Sequence, residues 1–390
     1  MLHRSRALAL TGAACVAAAL AVAGCGNTSS GSSSNSTTIT GNTLNIYISE
    51  PPQFKSDPAA VDVIDAEKLA YSVNRGEVKD FKLGVYTVPG QQVSDNARSA
   101  IENDDTIAYL GEIDPGTSDQ SVGITNAQDI LQVSPTDTAV ELGPGSPVIV
   151  GSPQSYFESW GTYGRTFARL VPTSAQEAVA QVDEMKSLGV STLYVGDDGS
   201  DYGRVIAAAV RKDAKTAGIT VQTSLSGADG VFYGVQSPSA AAKFFSGVAA
   251  TDAKAKLFGP SSLNNGLFTE AVPNLHNLYV TIPGFMPSQL NADGKTFDKA
   301  FATAYGHEPN VEAIFGYEAM SALLAVLKKA GENANNRTDV IKDFLKLSQS
   351  QSVLGSYSID SSGNTSLDAF VIAKLSDGTL VPFKAASTQG

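Results

Sequence analysis

The sequence predicts an α/β fold of two doubly wound, Rossmann-like lobes, and three observations carry that prediction. Short apolar runs of strand length alternate with longer segments of helical period from Leu44 onward. The alternation stops after Leu131 to Val133 and restarts at Phe167. Both stretches spell β-α-β-α-β, the order that builds a parallel sheet with helices on its faces.

The first unit opens with Leu44 to Ile48, an alternating strand. Ala59 to Val73 places Val61, Ile64, Leu69 and Val73 near helical spacing, and Phe81 to Val88 is the next strand. Helix Ser94 to Glu102 groups Ala97, Ala100 and Ile101, and Thr106 to Leu110 is the third strand. The second unit opens with strand Phe167 to Val171. Its helix, Ser174 to Leu188, is framed by a Ser174-x-x-Glu177 capping box and by Gly189 as the stop. Strand Thr192 to Val195, helix Tyr202 to Ala217 and strand Ile219 to Thr223 complete it.

Further on, Pro238 to Val248 and Thr296 to Tyr305 have helical patterns around strands Lys256 to Phe258 and Leu278 to Ile282. Glu312 to Ala330 and Asp339 to Leu347 are two more helices. Tyr357 to Ile359, Phe370 to Leu375 and Leu380 to Phe383 are separated by turn sequences and have antiparallel hairpin chemistry. One connection does not fit. Only SLSGADG precedes Val231 to Tyr233 after the strand ending at Thr223, whereas a parallel crossover takes about a dozen residues. The second lobe therefore lacks one crossover helix or pairs these strands antiparallel.

Composition narrows the setting. Arg4 and Arg6 precede an uncharged Ala-, Leu- and Val-rich run that ends in small residues before Cys25, the pattern of an export signal and too short for a comfortable membrane span. Val22-Ala23-Gly24-Cys25 resembles the lipobox of bacterial lipoproteins, which implies removal of residues 1–24, a lipid on Cys25 and attachment to the outer face of the cell membrane. Residues 25–43, uncharged and rich in Ser, Thr and Gly, are expected to be a flexible tether. Cys15 lies in the removed segment, so no disulfide is available and the fold must rest on its own core.

Without Arg4 and Arg6, 25 basic residues face 39 acidic ones, a formal charge of −14 that argues against a nucleic-acid partner. Three His and no Cys pair argue against zinc, and neither metal nor cofactor is expected. The chain holds no G-x-S-x-G, H-E-x-x-H or Walker loop, so no catalytic residue is assigned and it is read as a non-enzyme. The acidic run from Asp197 to Asp201 has Gly199 where a calcium ligand is required. It reads as a strand-end loop with Asp201 available to cap the next helix.

Ligands of open α/β sheets bind outside the carboxyl ends of the strands. The loops there, GEIDPGTS after Leu110 and SPTDT after Val133, offer hydroxyls, backbone N–H groups and carboxylates. The block from Tyr109 to Leu142, then FARLVPTSAQEA, LYVGDDGSDYGR, LFGPSSL and LGSYSIDSSGN, resembles in order and spacing the type I periplasmic binding proteins. The resemblance is to their branched-chain amino acid (leucine/isoleucine/valine) branch, which serves ABC importers, and it runs from about Leu44 to Phe383.

That resemblance implies two lobes joined by a three-segment hinge crossing near Val171, Pro283 and Ser352. Lobe 1 would hold residues 44–171 and 283–352, lobe 2 residues 172–282 and 353–383, with 384–390 as a tail. It implies ligand-binding positions at Asp114, Gly116 and Thr117 in the first loop and at Ser134, Thr136, Asp137 and Thr138 in the second. Tyr202, Gln236 and Ser261 would face them from lobe 2, the last matching an acid that pairs with a ligand ammonium. Three departures stand out. Pro115 lacks the hydroxyl and N–H of the serine it replaces, Ser261 lacks the acid's charge, and Asp114 and Asp137 add negative charge where a carboxylate would dock. A cationic, neutral or amide-like solute therefore fits better than a plain amino acid.

The expected function is a lipid-anchored, monomeric solute-binding protein that hands a small organic solute to an ABC permease. The alternative is a sensory or scaffold receptor of the same fold. The stretch Gly151 to Thr166, with Tyr156, Phe157, Trp160 and Tyr163, looks like an insertion relative to the amino acid binders, and forms either an aromatic lip or a loop pinned by its own rings.

Overall fold

The computed structural model describes residues 37–74, 78–157 and 164–388. The expected signal, Cys25, the tether up to residue 36, and Trp160 and Tyr163 lie outside the described residues. The first sheet contains β1 (Thr43–Glu50), β2 (Lys82–Pro89), β3 (Thr106–Leu110), β4 (Leu131–Ser134) and β5 (Phe167–Arg169), in the order β2-β1-β3-β4-β5 with every neighbouring pair parallel. Strand order reverses between β1 and β3, so the carboxyl ends of those strands open a crevice. Helices α1 (Pro58–Asn74), α2 (Val93–Ile101), α3 (Val122–Asn126) and α4 (Gln154–Phe157) belong to this first run of chain.

The second sheet takes β6 (Thr192–Asp197), β7 (Thr220–Gln222), β8 (Gly230–Gly234), β9 (Lys256–Gly259) and β10 (Leu278–Pro283) as parallel neighbours in the order β10-β9-β8-β6-β7. Helices α5 (Ser174–Ser187), α6 (Asp201–Thr216), α7 (Pro238–Thr251) and α8 (Gly266–Ala271) are interspersed with them. The short connection expected to be anomalous lacks its helix and still joins two parallel strands, because β7 and β8 flank β6 rather than each other.

The chain then returns to the first sheet as α9 (Ala292–Tyr305), α10 (Ala313–Ala330) and α11 (Arg337–Phe344). Phe301, Phe315, Leu323 and Phe344 from these helices share one apolar core with Ile46, Leu110 and Val133. Twelve of the 18 residues of α10 are buried, which makes it the central helix of that layer. A two-stranded ribbon of β11 (Ser348–Gln349) and β12 (Tyr357–Ser358) follows, and the antiparallel strands β13 (Phe370–Ser376) and β14 (Thr379–Ala386) finish the second sheet at its β10 edge.

Several boundaries differ from the sequence reading. Leu354, Tyr357, Ile359 and Leu367 are buried in the first sheet's core, so the third passage between sheets falls between Leu367 and Phe370 instead of near Ser352. Strand β14 runs to Ala386, which takes up the first part of the expected tail. The tether ends early: Ile39 is 3% exposed within the first core and its N–H donates to the Asn335 carbonyl. A lone apolar residue in a Ser/Thr run suffices to pin it. Helix α5 is capped by Thr173, whose box partner is Gln176, and not by Ser174 with Glu177. Helix α6 is capped by Ser200, while Asp201 pairs with Arg204. Among the described residues no helix is long and apolar enough to cross a membrane.

Candidate functional site

The two loops singled out after β3 and β4 lie side by side and are sewn together by the residues expected to bind a ligand. Ser134 donates its hydroxyl to the Glu112 carbonyl at 2.6 Å and accepts the Asp137 N–H at 2.8 Å. Thr136 donates to the Ile113 carbonyl and Thr117 to the Asp114 carbonyl, each at 2.6 Å. All three hydroxyl donors are thus directed at the backbone of the loop after β3. The Asp137 carboxylate accepts the N–H groups of Gly116 at 2.7 Å, Ala139 at 2.9 Å and Ser118 at 3.0 Å. Arg169, the only buried Lys or Arg among the described residues, donates to the Asp137 carbonyl at 3.0 Å and lies over the Phe167 ring.

Gly116 is where the first loop meets the second sheet's elements. Its φ is +85°, and a Cβ there would stand 2.6 Å from Cβ of Tyr202 and 3.0 Å from Nε2 of Gln236. Only glycine satisfies both the left-handed backbone and the close approach. Tyr202, at the start of α6, is buried, and its hydroxyl lies 3.4 Å from both the Thr138 and the Ser261 hydroxyls.

The group that gathers these hydroxyls is Glu177, which the sequence reading had assigned to helix capping. It accepts the Ser261 N–H at 2.6 Å, the Thr138 hydroxyl at 3.1 Å and the Ser261 hydroxyl at 3.2 Å. Burial pushes its carboxyl up to about 7, against the pull of these donors. Thr138, Tyr202 and Ser261 are therefore brought together around an acid from α5. Ser261 carries no charge, yet a carboxylate stands against it. The available signal was an acid on the buried face of α5, in line with Ala178 and Gln181.

Asp114, Thr117 and Gln236 open instead onto a cavity of about 320 Å³. Gln53, Gln92, Gln120 and Asn265 add carboxamides to its wall, and none of its lining residues is Lys, Arg or His. The Asp114 carboxyl is pushed up to about 7 by burial, with Asp57, Glu112 and Asp137 adding like charge. The Gln236 N–H donates to Asp198 at 2.9 Å, and Asp198 also accepts the N–H of Ser200, so the acidic run stitches loops together. A larger cavity, about 940 Å³, lies between the short β7–β8 connection and α7 and shares no residue with the predicted site.

Two further contacts join the elements of the two sheets. Asp57, at the head of α1, accepts the Asn265 side-chain amide at 2.7 Å and the Gly266 N–H at 3.2 Å. Glu312, at the head of α10, accepts the amide of Asn264. Burial raises both carboxyls. Of these four residues the sequence reading named only Glu312, as the first residue of its helix, and expected none of them at a contact between the two sheets.

Residues 221–379 match a family model described as periplasmic binding protein. Among solved structures, a leucine-binding protein of Thermotoga maritima superposes with a TM-score of 0.71 at 16% identity, over 88% of this chain and 98% of that one. An ABC transporter substrate-binding protein of Desulfitobacterium hafniense, in complex with Leu, gives 0.68 at 19% identity, over 87% and 100%. A solute-binding protein of an ABC transporter from R. palustris, in complex with benzoate, gives 0.66 at 17% identity, over 89% and 96%. No curated protein matches the sequence. The fold is that of the type I periplasmic binding proteins, as the sequence predicted.

Proposed function

We propose that this chain is an extracytoplasmic solute-binding protein, held at the membrane by a lipid on Cys25, that captures a small organic solute and delivers it as a monomer to an ABC permease. The observation that carries the reading is the cavity between the switch-point loops of one sheet and the loops of the other, lined from both sides by Asp114, Thr117, Gln236 and Asn265. At about 320 Å³ it suits one small guest. The residues of the first sheet and its helices form one lobe, and those of the second sheet the other, with passages after β5, after β10 and before β13 as the hinge.

A guest touching both walls binds the closed arrangement better than the open one and shifts the population toward it. Asp57 with Asn265 and Glu312 with Asn264 hold that closed arrangement. The single tryptophan, Trp160, gives the experiment its signal. Titration with a panel of amino acids, amines, amides and polyols, followed by tryptophan fluorescence and by small-angle scattering, is expected to show saturable binding to a member of the panel with a fall in radius of gyration. Absence of saturation with every member overturns the proposal.

A further inference from the structure

The cleft contains its own anion. The N–H groups of Gly116, Ser118 and Ala139 converge on one point between the loops after β3 and β4, an arrangement that binds a carboxylate from any source. The side chain of Asp137 is already there, fully buried, with distances from 2.7 to 3.0 Å. The hydroxyls that would extend such a site are also committed, those of Thr117, Ser134 and Thr136 to carbonyls of the same loops. Arg169 stands behind Asp137 on its carbonyl and does not line the cavity.

What remains for a guest is the wall of the cavity. Its carboxamides donate or accept according to how they turn, so they are indifferent to the sign of a ligand's charge. Asp114 is the only ionisable side chain among the cavity's lining residues, and no hydrogen bond from a described residue reaches its carboxylate. A carboxylate guest would meet an uncompensated like charge in a partly desolvated space, and a cation would supply the missing partner.

We infer that the solute of this cleft is a small organic cation without a carboxylate, with Asp137 filling the anion site from within and Asp114 pairing with the ligand's ammonium. This rests on the solute-binding reading above. It concerns the chemistry of the guest, so the two fail separately.

The test uses matched solutes that differ by a carboxylate: leucine with 3-methylbutylamine, lysine with cadaverine, and arginine with agmatine. Calorimetric titration of the intact protein is expected to show at least one amine binding tenfold or more tightly than its amino acid, and Asp114→Asn is expected to weaken that amine by tenfold or more. Tighter binding of the amino acids overturns the inference and leaves solute capture standing. So does binding confined to neutral amides or polyols. No binding by any solute of these sets, nor by any amide or polyol, overturns both. A second arm addresses Asp137. Asp137→Ala vacates the three N–H groups, and millimolar acetate is expected to raise the melting temperature of that variant while leaving the unsubstituted protein unmoved. An equal effect of acetate on both, or on neither, removes the assignment of Asp137 as the internal anion; should the variant not fold, the matched-solute titration decides alone.

Discussion

Two residues stand where elements of the two sheets meet. Gly116 lets the first loop lie against Tyr202, and Gly116→Ala would impose both a strained positive φ and a Cβ 2.6 Å from that of Tyr202. The expected outcome is a folded protein whose lobes stay apart: a larger radius of gyration by small-angle scattering, with the melting temperature lowered by no more than a few degrees. An unchanged radius would show that the contact does not control closure. Glu177 is the opposite case, a strained charge. Its carboxyl titrates near 7 in the folded protein, well above the 4.5 of a free glutamate, so its ionisation at pH 8 opposes folding. Glu177→Gln keeps the shape and removes the charge. It is expected to stabilise the protein at pH 8 by about 1–3 kcal/mol and to have little effect at pH 5. Chemical denaturation at the two pH values measures this, and equal effects at both would refute it.

At the level of elements, the contacts between the two sheets' elements fall where helices begin. The turn carrying Asn264 and Asn265 sits between β9 and α8, and its two amides reach the heads of α1 and α10 through Asp57 and Glu312. Asp57 also accepts the Ala59 N–H at 3.1 Å, so one carboxylate caps α1 and holds the turn before α8. Replacing both asparagines by Ala removes the two side-chain donors while leaving that cap and the Gly266 N–H bond to Asp57 intact. The double variant is expected to open in the absence of solute and to bind its solute at least tenfold more weakly, read by scattering and calorimetry. An unchanged affinity would place the energy of closure elsewhere. The same elements show what could be read from the sequence. Periodicity located β3 to the residue, Thr106–Leu110, and most other strands to within a few, because apolar runs bounded by Gly, Asp and Ser leave little choice. Overlapping signals were not separable: Thr173/Gln176 and Ser174/Glu177 both satisfy a capping box, and only the burial of Glu177 against Ser261 shows which pair is free to cap. The cross-cleft pairs span more than 45 residues in one case and more than 200 in the other, separations that no local pattern encodes.

For the whole molecule the consequence is an unusual response to acid. Glu112, Asp114, Asp119, Glu141, Glu177 and Glu318 are each pushed up to about 7, in every case chiefly by burial. In the unfolded chain the same groups titrate near 4, so the folded state binds more protons across the interval between. Their contribution to stability is complete below about pH 4 and is lost as the pH rises through about 7. His307, raised by its hydrogen bond to Asp62, acts in the same direction. Asp229, held at about 2 by Ser191 and Thr192, acts in the opposite one, and its contribution is lost only as the pH falls from about 4 toward 2. Between pH 8 and pH 5 the first set therefore dominates. The melting temperature is expected to rise as the pH falls across that range, by about 1–2 °C for each kcal/mol of stability gained. Scanning calorimetry in buffers of matched ionic strength measures it, and ionic strength matters because a surface of net negative charge is itself relieved by acid. The buried contribution separates from that surface effect by its persistence at high salt, where screening removes repulsion between exposed carboxylates but does not reach Glu112 or Glu177. A melting temperature that is flat or falling from pH 8 to pH 5 in high salt would mean that these acids are neutralised by partners the geometry does not supply.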